Sequence, residues 1–297
     1  MTQIIIDTDI GTDIDDTWAL AMALGCHELD IRLITTCTGD TRFRAALVCK
    51  FLETVGRSDI DVGIGRSSAT GPSQQTGWLD GYDIADYPGS VHEDAVEAMI
   101  SVIRESADPV TLVAIGPLPN VSALIQRAPD LIDKIRFVGM HGSIYRGYLG
   151  APEPHAEYNV KQHLEDAKTV FGSAVDMTIT PLDTCGTVRL RGDRYARLRE
   201  SSNRAVPVTL ENYRSWLKEI DKDVDIADDR SSTLYDTVAI YLAFAEDLLE
   251  IDELPLIVDD DGMTVVATDG KRIRAATNWR DEEAFLDLLI ERLLAAP

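Results

Sequence analysis

Residues 4–16 read Ile4-Ile5-Ile6-Asp7-Thr8-Asp9-Ile10-Gly11-Thr12-Asp13-Ile14-Asp15-Asp16, an apolar run that passes straight into five carboxylates within ten residues. The β-branched run predicts a buried strand, Gln3–Ile6. The acids that follow need a separate explanation. Like charges this close repel and raise one another's pKa unless a cation binds among them. Several hard oxygen donors with no Cys or His among them suit Ca2+ or Mg2+. Gly11 lets the backbone turn tightly between ligands. One or two of the acids can cap the helix entered at Thr17, because Asp favours a helix N-terminus, but capping does not account for five.

Outward from this segment, short apolar runs alternate with helical patterns. Further strands are predicted at Ile31–Thr36, Ile60–Ile64, Val110–Ile115, Ile135–Met140 and Met177–Thr180. Helices are predicted at Asp16–Leu24, Phe43–Val55, Ala95–Arg104, Pro119–Arg127 and Val160–Phe171. Such alternation means βαβ units and a mainly parallel, Rossmann-like sheet flanked by helices, with ligands bound beyond the carboxyl ends of the strands. After Pro181 come helices at Arg191–Glu200, Val208–Ile220 and Thr233–Phe244. Three β-rich runs, Leu254–Val258, Met263–Ala267 and Arg272–Thr277, then lead to a closing helix, Asp281–Leu294. No repeat or linker interrupts residues 1–297, so one α/β domain is expected. The longest irregular stretch, Arg66–Ser90, carries Trp78, Tyr82 and Tyr87 and has the length of an active-site lid.

Composition excludes several classes. The net charge is −23, from 34 Asp and 17 Glu against 21 Arg and 7 Lys. So acidic a surface repels nucleic acid and anionic membranes. Abundant Asp with little Lys suggests adaptation to high salt, where screening relieves the self-repulsion. Cys26, Cys37, Cys49 and Cys185 have no metal-site spacing and read as buried free thiols, which fits a reducing compartment. No run is long and apolar enough for a membrane span, and the N-terminus MTQIIIDTD lacks a signal peptide's basic region. A cytoplasmic protein is expected.

The opening segment resembles the N-terminal signature of the nucleoside hydrolases, Asp-x-Asp-Pro-Gly-x-Asp-Asp-x-x-Ala-Leu, at Asp7, Asp9, Gly11, Asp15, Asp16, Ala19 and Leu20. Ile10 replaces the proline, and one extra residue precedes the Asp pair, which leaves the role of Asp13 open. Thr36–Asp40 resembles the family's Thr-x-x-Gly-Asn loop, with Asp40 for Asn, and Leu112–Asn120 resembles its Gly-Pro-Leu-Thr-Asn turn. Ala156–Asn159 matches the sugar motif Ala-Glu-Phe-Asn, and Tyr235–Ala239 matches His-Asp-Pro-x-Ala. The resemblance implies Ca2+-dependent hydrolysis of ribonucleosides by a homo-oligomer, a dimer or tetramer. It implies that Asp9, Asp16, Asp236 and the Ile115 carbonyl hold the ion, with Asp9 also the general base. It gives the ribose hydroxyls to Asp15, Asp40, Glu157 and Asn159.

How the base departs stays open at this stage. The family's histidine is Tyr235 here, and a phenol matches neutral pH poorly as an acid. Tyr235 with Trp78 or Tyr82 stacks on the base in one account, which leans toward purines; His141, after a strand end, donates the proton in the other. Tyr213 and Trp216 are further candidates for the base pocket. Three rival functions are a haloacid-dehalogenase-type phosphatase, a non-catalytic Ca2+- or ribose-binding module, and a hydrolase of another N-ribosyl compound. The first expects Thr or Val where Gly11 stands, and the second does not fit an EF-hand loop, whose closing Glu would fall at Trp18.

Overall fold

A computed structural model describes residues 1–69 and 73–297. Part of the predicted Arg66–Ser90 loop, residues 70–72, lies outside the described residues. The strands are β1 (Thr2–Thr8), β2 (Leu29–Thr36), β3 (Asp61–Ile64), β4 (Val91–His92), β5 (Val110–Ala114), β6 (Ile135–Met140), β7 (Asp176–Thr180), β8 (Leu249–Val258), β9 (Thr264–Val266) and β10 (Lys271–Trp279). They form one ten-stranded sheet in the order β4-β3-β2-β1-β5-β6-β7-β10-β8-β9. Pairing is parallel from β4 across to β10; β8 and β9 complete the far edge antiparallel.

Alternation along β1 explains why its apolar run is continuous. Ile4 and Ile6 point into one core with Trp18 and Leu47, and Ile5 points into the other with Leu33, Met99 and Leu112. A strand buried on both faces cannot alternate polar with apolar. Each isoleucine withdrawn from water contributes about 2 kcal/mol before entropy is counted. The first core is closed by the helices Asp15–Leu24, Thr41–Thr54, Ala205–Glu219 and Glu282–Ala295, the second by Ala95–Glu105, Pro119–Arg127 and Leu164–Phe171.

The topology also fixes where a ligand sits. From β1 the chain moves outward through β2, β3 and β4, then returns to β5 on the other side of β1. The carboxyl ends of β1 and β5 therefore flank the switch point, where a crevice opens in such sheets. Ile115 is tied there by its amide, which donates to the Asp7 carbonyl at 2.8 Å. Gly116 makes the close approach possible, since a Cβ on it would lie 2.8 Å from the Asp9 nitrogen.

The predicted strands stand, several of them longer and three shorter at one or both ends, and the short edge strand β4 was not predicted. Three helical predictions change. Val160–Phe171 is two helices, Tyr158–Gln162 and Leu164–Phe171, because His163 leaves helical geometry (φ −131°, ψ 66°). Thr233–Phe244 shortens to Thr237–Leu242, with Asp236 at its cap. The second helix after Pro181 begins earlier, at Ala205, with Pro207 in its first turn, where a proline ring is tolerated. The long loop holds two short helical turns, Thr76–Leu79 and Ile84–Asp86. Among the described residues no helix is long and apolar enough to cross a membrane. All four cysteines are free and buried.

Candidate active site

A cavity of about 360 Å³ opens at the switch point. Asp9 enters it from the end of β1, Ile115 from the end of β5, and Met140 from the end of β6. Asp15, Asp16 and Asp236 bring one carboxylate oxygen each within 4.8 Å of one another, and all three are buried. Each stands at a helix start: Asp15 and Asp16 in the first turn of Asp15–Leu24, Asp236 at the cap of Thr237–Leu242. Unsatisfied amides and the helix dipole at such positions favour negative charge. That compensation is partial. Burial pushes the pKa of all three well above the usual carboxylate range, and mutual repulsion adds to the rise.

Oxygens that share one divalent cation lie within about 4.8 Å of one another, and this trio meets that spacing. Asp9 stands beside it. The Asp9 pKa is raised by burial and opposed by the charge of Arg44, and its Oδ2 is buried with no hydrogen-bond partner. An orphaned carboxylate oxygen next to three repelling carboxylates fits a divalent cation. The expected ligand set had Asp9 where the tightest group has Asp15; Asp16 and Asp236 are common to both.

The sugar motif is organised by backbone amides. Glu157 accepts from the amides of Asn159 (2.7 Å), Val160 (3.2 Å) and Gly142 (3.1 Å), capping the helix Tyr158–Gln162. Burial outweighs these bonds and raises its pKa to about 7. Asn159 donates through Nδ2 to the carbonyls of Ile115 (3.2 Å) and Met140 (3.1 Å), so the β5 and β6 ends are joined under the cavity floor. The Ile115 oxygen keeps a second lone pair for another partner. Glu157 thus both caps the helix and lines the cavity, whereas Asn159 lies inside that helix, caps nothing, and lines the cavity.

The structure brings together Asp9, Asp15, Asp16, Ile115, Glu157, Asn159, Tyr235 and Asp236, and sets five other candidates elsewhere. Asp40 is exposed and accepts from the Phe43 amide at 3.0 Å as the cap of Thr41–Thr54, away from the cavity lining. His141 is fully buried, with Nε2 3.0 Å from the Gly116 carbonyl and its ring against Phe137; burial lowers its pKa to about 4. A neutral, enclosed imidazole is no proton donor to a base. Trp78 is buried under the Lys50 ammonium, which lies 4.9 Å from its ring centre, and Tyr82 bonds Glu53. Neither lines the cavity. Trp216 does, its Nε1 donating to Gln74 at 2.7 Å, whereas Tyr213 packs behind it against Trp18.

Several site residues escaped the sequence reading. Tyr148 meets Tyr235 edge-on at 6.1 Å and accepts from the Tyr158 amide at 2.8 Å; both Tyr148 and Tyr158 line the cavity. Arg44 supports the acidic loop from below. It donates through Nε to the Thr38 carbonyl (2.7 Å) and through Nη1 to the carbonyls of Asp9 and Ile10, the latter at 2.7 Å. The clue was periodicity: Arg44 falls on the core stripe of its helix with Leu47, Val48 and Phe51. Gly11 does turn the loop (φ +96°), and a Cβ there would strike Leu47 at 3.0 Å. Asp7, outside the cavity lining, ties β1 to β2 and to the helix Pro119–Arg127 by accepting from Thr35 (2.6 Å) and Asn120 (2.8 Å).

Carboxylates gathered at the switch point, the amide-bound Glu157 with Asn159, and an aromatic wall thus line one cavity. The chain matches the inosine-uridine preferring nucleoside hydrolase family over residues 4–287 and belongs to it. It is 34% identical over 207 residues to the non-specific ribonucleoside hydrolase RihC of Salmonella agona, covering 66% of each chain. To the pyrimidine-specific ribonucleoside hydrolase RihA of Citrobacter koseri it is 31% identical over 312 residues, covering 98% of this chain and 97% of that one. Its fold is similar to that of a plant nucleoside hydrolase (TM-score 0.81, 23% identity, covering 100% of this chain and 99% of that one). It is also similar to a purine-preferring ribonucleoside hydrolase from Gardnerella vaginalis (TM-score 0.76, 22% identity, covering 99% of each).

Proposed function

We propose that the chain hydrolyses ribonucleosides to ribose and free base with Ca2+ as its cofactor, and leans toward purines. The observation that carries this is the buried trio Asp15, Asp16 and Asp236 beside the unpartnered oxygen of Asp9. Asp9, Asp16, Asp236 and the Ile115 carbonyl would hold the ion. When bound, Ca2+ supplies the positive charge that lowers the pKa of a water molecule and orients it. Asp9 takes the proton of the attacking water. Asp15, Glu157 and Asn159 receive the ribose hydroxyls, each of which is both donor and acceptor. Negative charge around the sugar favours the cationic, oxocarbenium-like transition state over the neutral ground state. Tyr235 and Trp216, with Tyr148 behind, offer the base a stacking surface, and a purine has more area to place on it.

Four buried free thiols support a cytoplasmic location, and a homo-oligomer, dimer or tetramer, is the expected assembly. The test is free ribose released from inosine, adenosine, uridine and cytidine. Purines should lead, and Asp9→Asn should lose about two orders of magnitude or more in kcat while keeping the fold. Wild-type turnover in Asp9→Asn would remove the assignment of the base, and no ribose from any nucleoside would remove the activity.

A further inference from the structure

Among the described residues, the long loop Arg66–Ser90 enters the cavity lining through one side chain, Gln74. The segment that carries it is held from several sides. The Gln74 amide donates to the Gly11 carbonyl of the acidic loop at 2.8 Å. Gln75 is fully buried in left-handed backbone (φ +70°). Its side chain donates through Nε2 to the Asp13 carbonyl (2.7 Å) and accepts through Oε1 from Asn212 (3.2 Å) on the helix Ala205–Glu219. The amides of Thr76 and Gly77 donate to the Glu219 carboxylate of the same helix. A non-glycine residue keeps such a backbone only where its surroundings dictate it, and these bonds do so.

The orientation of the Gln74 side chain follows from its partner. Its Oε1 lies 2.7 Å from Trp216 Nε1. An indole nitrogen only donates, so the atom facing it is the oxygen and the NH2 group points away from Trp216. That NH2 group is not enclosed and has no protein partner among the described residues. It is a donor that cannot become an acceptor without giving up Trp216. Trp216 belongs to the stacking surface offered to the base, so the free donor stands at the base end of the cavity.

That end has little else to receive the charge of a leaving base. Among the described residues the lining holds no Lys, Arg or His, and His141 is enclosed against Gly116 and Phe137. Burial pushes the Tyr235 phenol far above neutral pH.

We propose that Gln74 is a catalytic residue, which donates its side-chain N–H to the departing base and stabilises the negative charge that develops there. This rests on the hydrolase reading. The C1′–N bond breaks and its electron pair passes into the base, where ring nitrogens and exocyclic oxygens share it. The water oxygen bonds to C1′, one water proton passes to Asp9 and then to solvent, and the base anion takes a proton from solvent. The amide proton stays on Gln74 throughout. A donor fixed before the charge appears stabilises the transition state more than the neutral ground state.

The experiment measures ribose release from inosine and from 4-nitrophenyl riboside, whose phenolate carries its own charge and needs no donor. Gln74→Met removes the amide at equal length, and Gln74→Glu keeps an acceptor for Trp216 but cannot donate to the base. Both variants should lose about tenfold or more in kcat on inosine and less than about twofold on the nitrophenyl riboside. Retained turnover of the second substrate shows that fold and sugar site are intact. An equal fall on both substrates, or inosine turnover within about twofold of wild type in either variant, overturns the inference while the hydrolase reading stands. If the wild type releases ribose from neither substrate, the hydrolase reading fails and the inference falls with it.

Discussion

Replacing Arg44 with methionine keeps the length and apolar stem of the side chain and deletes its guanidinium. Three buried carbonyls, of Thr38, Asp9 and Ile10, then lose a donor. A buried acceptor left unpaired costs about 1–3 kcal/mol. The Asp9 carbonyl keeps the Thr12 amide at 3.2 Å, so its loss is smaller. The arginine's own desolvation is relieved, which offsets part of the loss. The net destabilisation should be on the order of 4 kcal/mol, a large fraction of the ordinary margin of about 5–15 kcal/mol. Arg44→Lys, whose ammonium reaches fewer carbonyls, should lose about half as much. The charge of Arg44 also opposes the rise in pKa at Asp9 and Asp16, so its removal makes protons compete harder for the cation site. Ca2+ affinity at pH 7 should therefore fall by about tenfold or more. Urea unfolding and calcium titration calorimetry on the wild type and both variants measure the two effects. A methionine variant within about 1 kcal/mol of wild type, with unchanged calcium affinity, would refute the reasoning.

Three further outcomes follow from the same structure. With a net charge of −23, melting temperature should rise as KCl goes from dilute to molar, and a flat or falling curve removes the salt-adapted reading. Tyr235→Phe should retain most activity on inosine and Tyr235→Ala should lose it, because burial raises the phenol's pKa and leaves stacking as its use; equal damage would mean the hydroxyl matters. Glu157, whose folded pKa of about 7 lies above its ordinary 4.5, contributes stability that is present below pH 4.5 and lost as pH rises through 7. In chelated protein that loss should be on the order of 3 kcal/mol and largely absent from Glu157→Gln, as urea unfolding at a series of pH values would show.

The sheet was legible because β1 and its parallel neighbours are buried on both faces, which forces unbroken apolar runs such as Ile4–Ile6. The antiparallel edge was legible only as β-rich runs, since strand direction leaves no mark in a short apolar segment. Among site residues, the motif positions at strand ends and helix starts converged, because topology places every such end on one rim. Asp40 and His141 also follow strand ends but turned away, one outward as a helix cap and one inward to Gly116. That choice depends on tertiary packing, which no local pattern records. Tyr148 was invisible for the same reason: it reaches the cavity from a single 3-10 turn, Tyr148–Gly150, too short to show a periodicity. Arg44 was legible in principle, as a charge on an apolar helical stripe.

On the proposed function, the carboxylate cluster at the switch point works by holding a divalent cation. The direct measurement is ribose release from inosine after exhaustive chelation, followed by titration with Ca2+ under calorimetry. Turnover should fall to background without the ion and return in proportion to occupancy of a single calcium site, a site that is lost in Asp236→Asn. Undiminished turnover in the chelated enzyme, or calcium binding that survives Asp236→Asn unchanged, would contradict it.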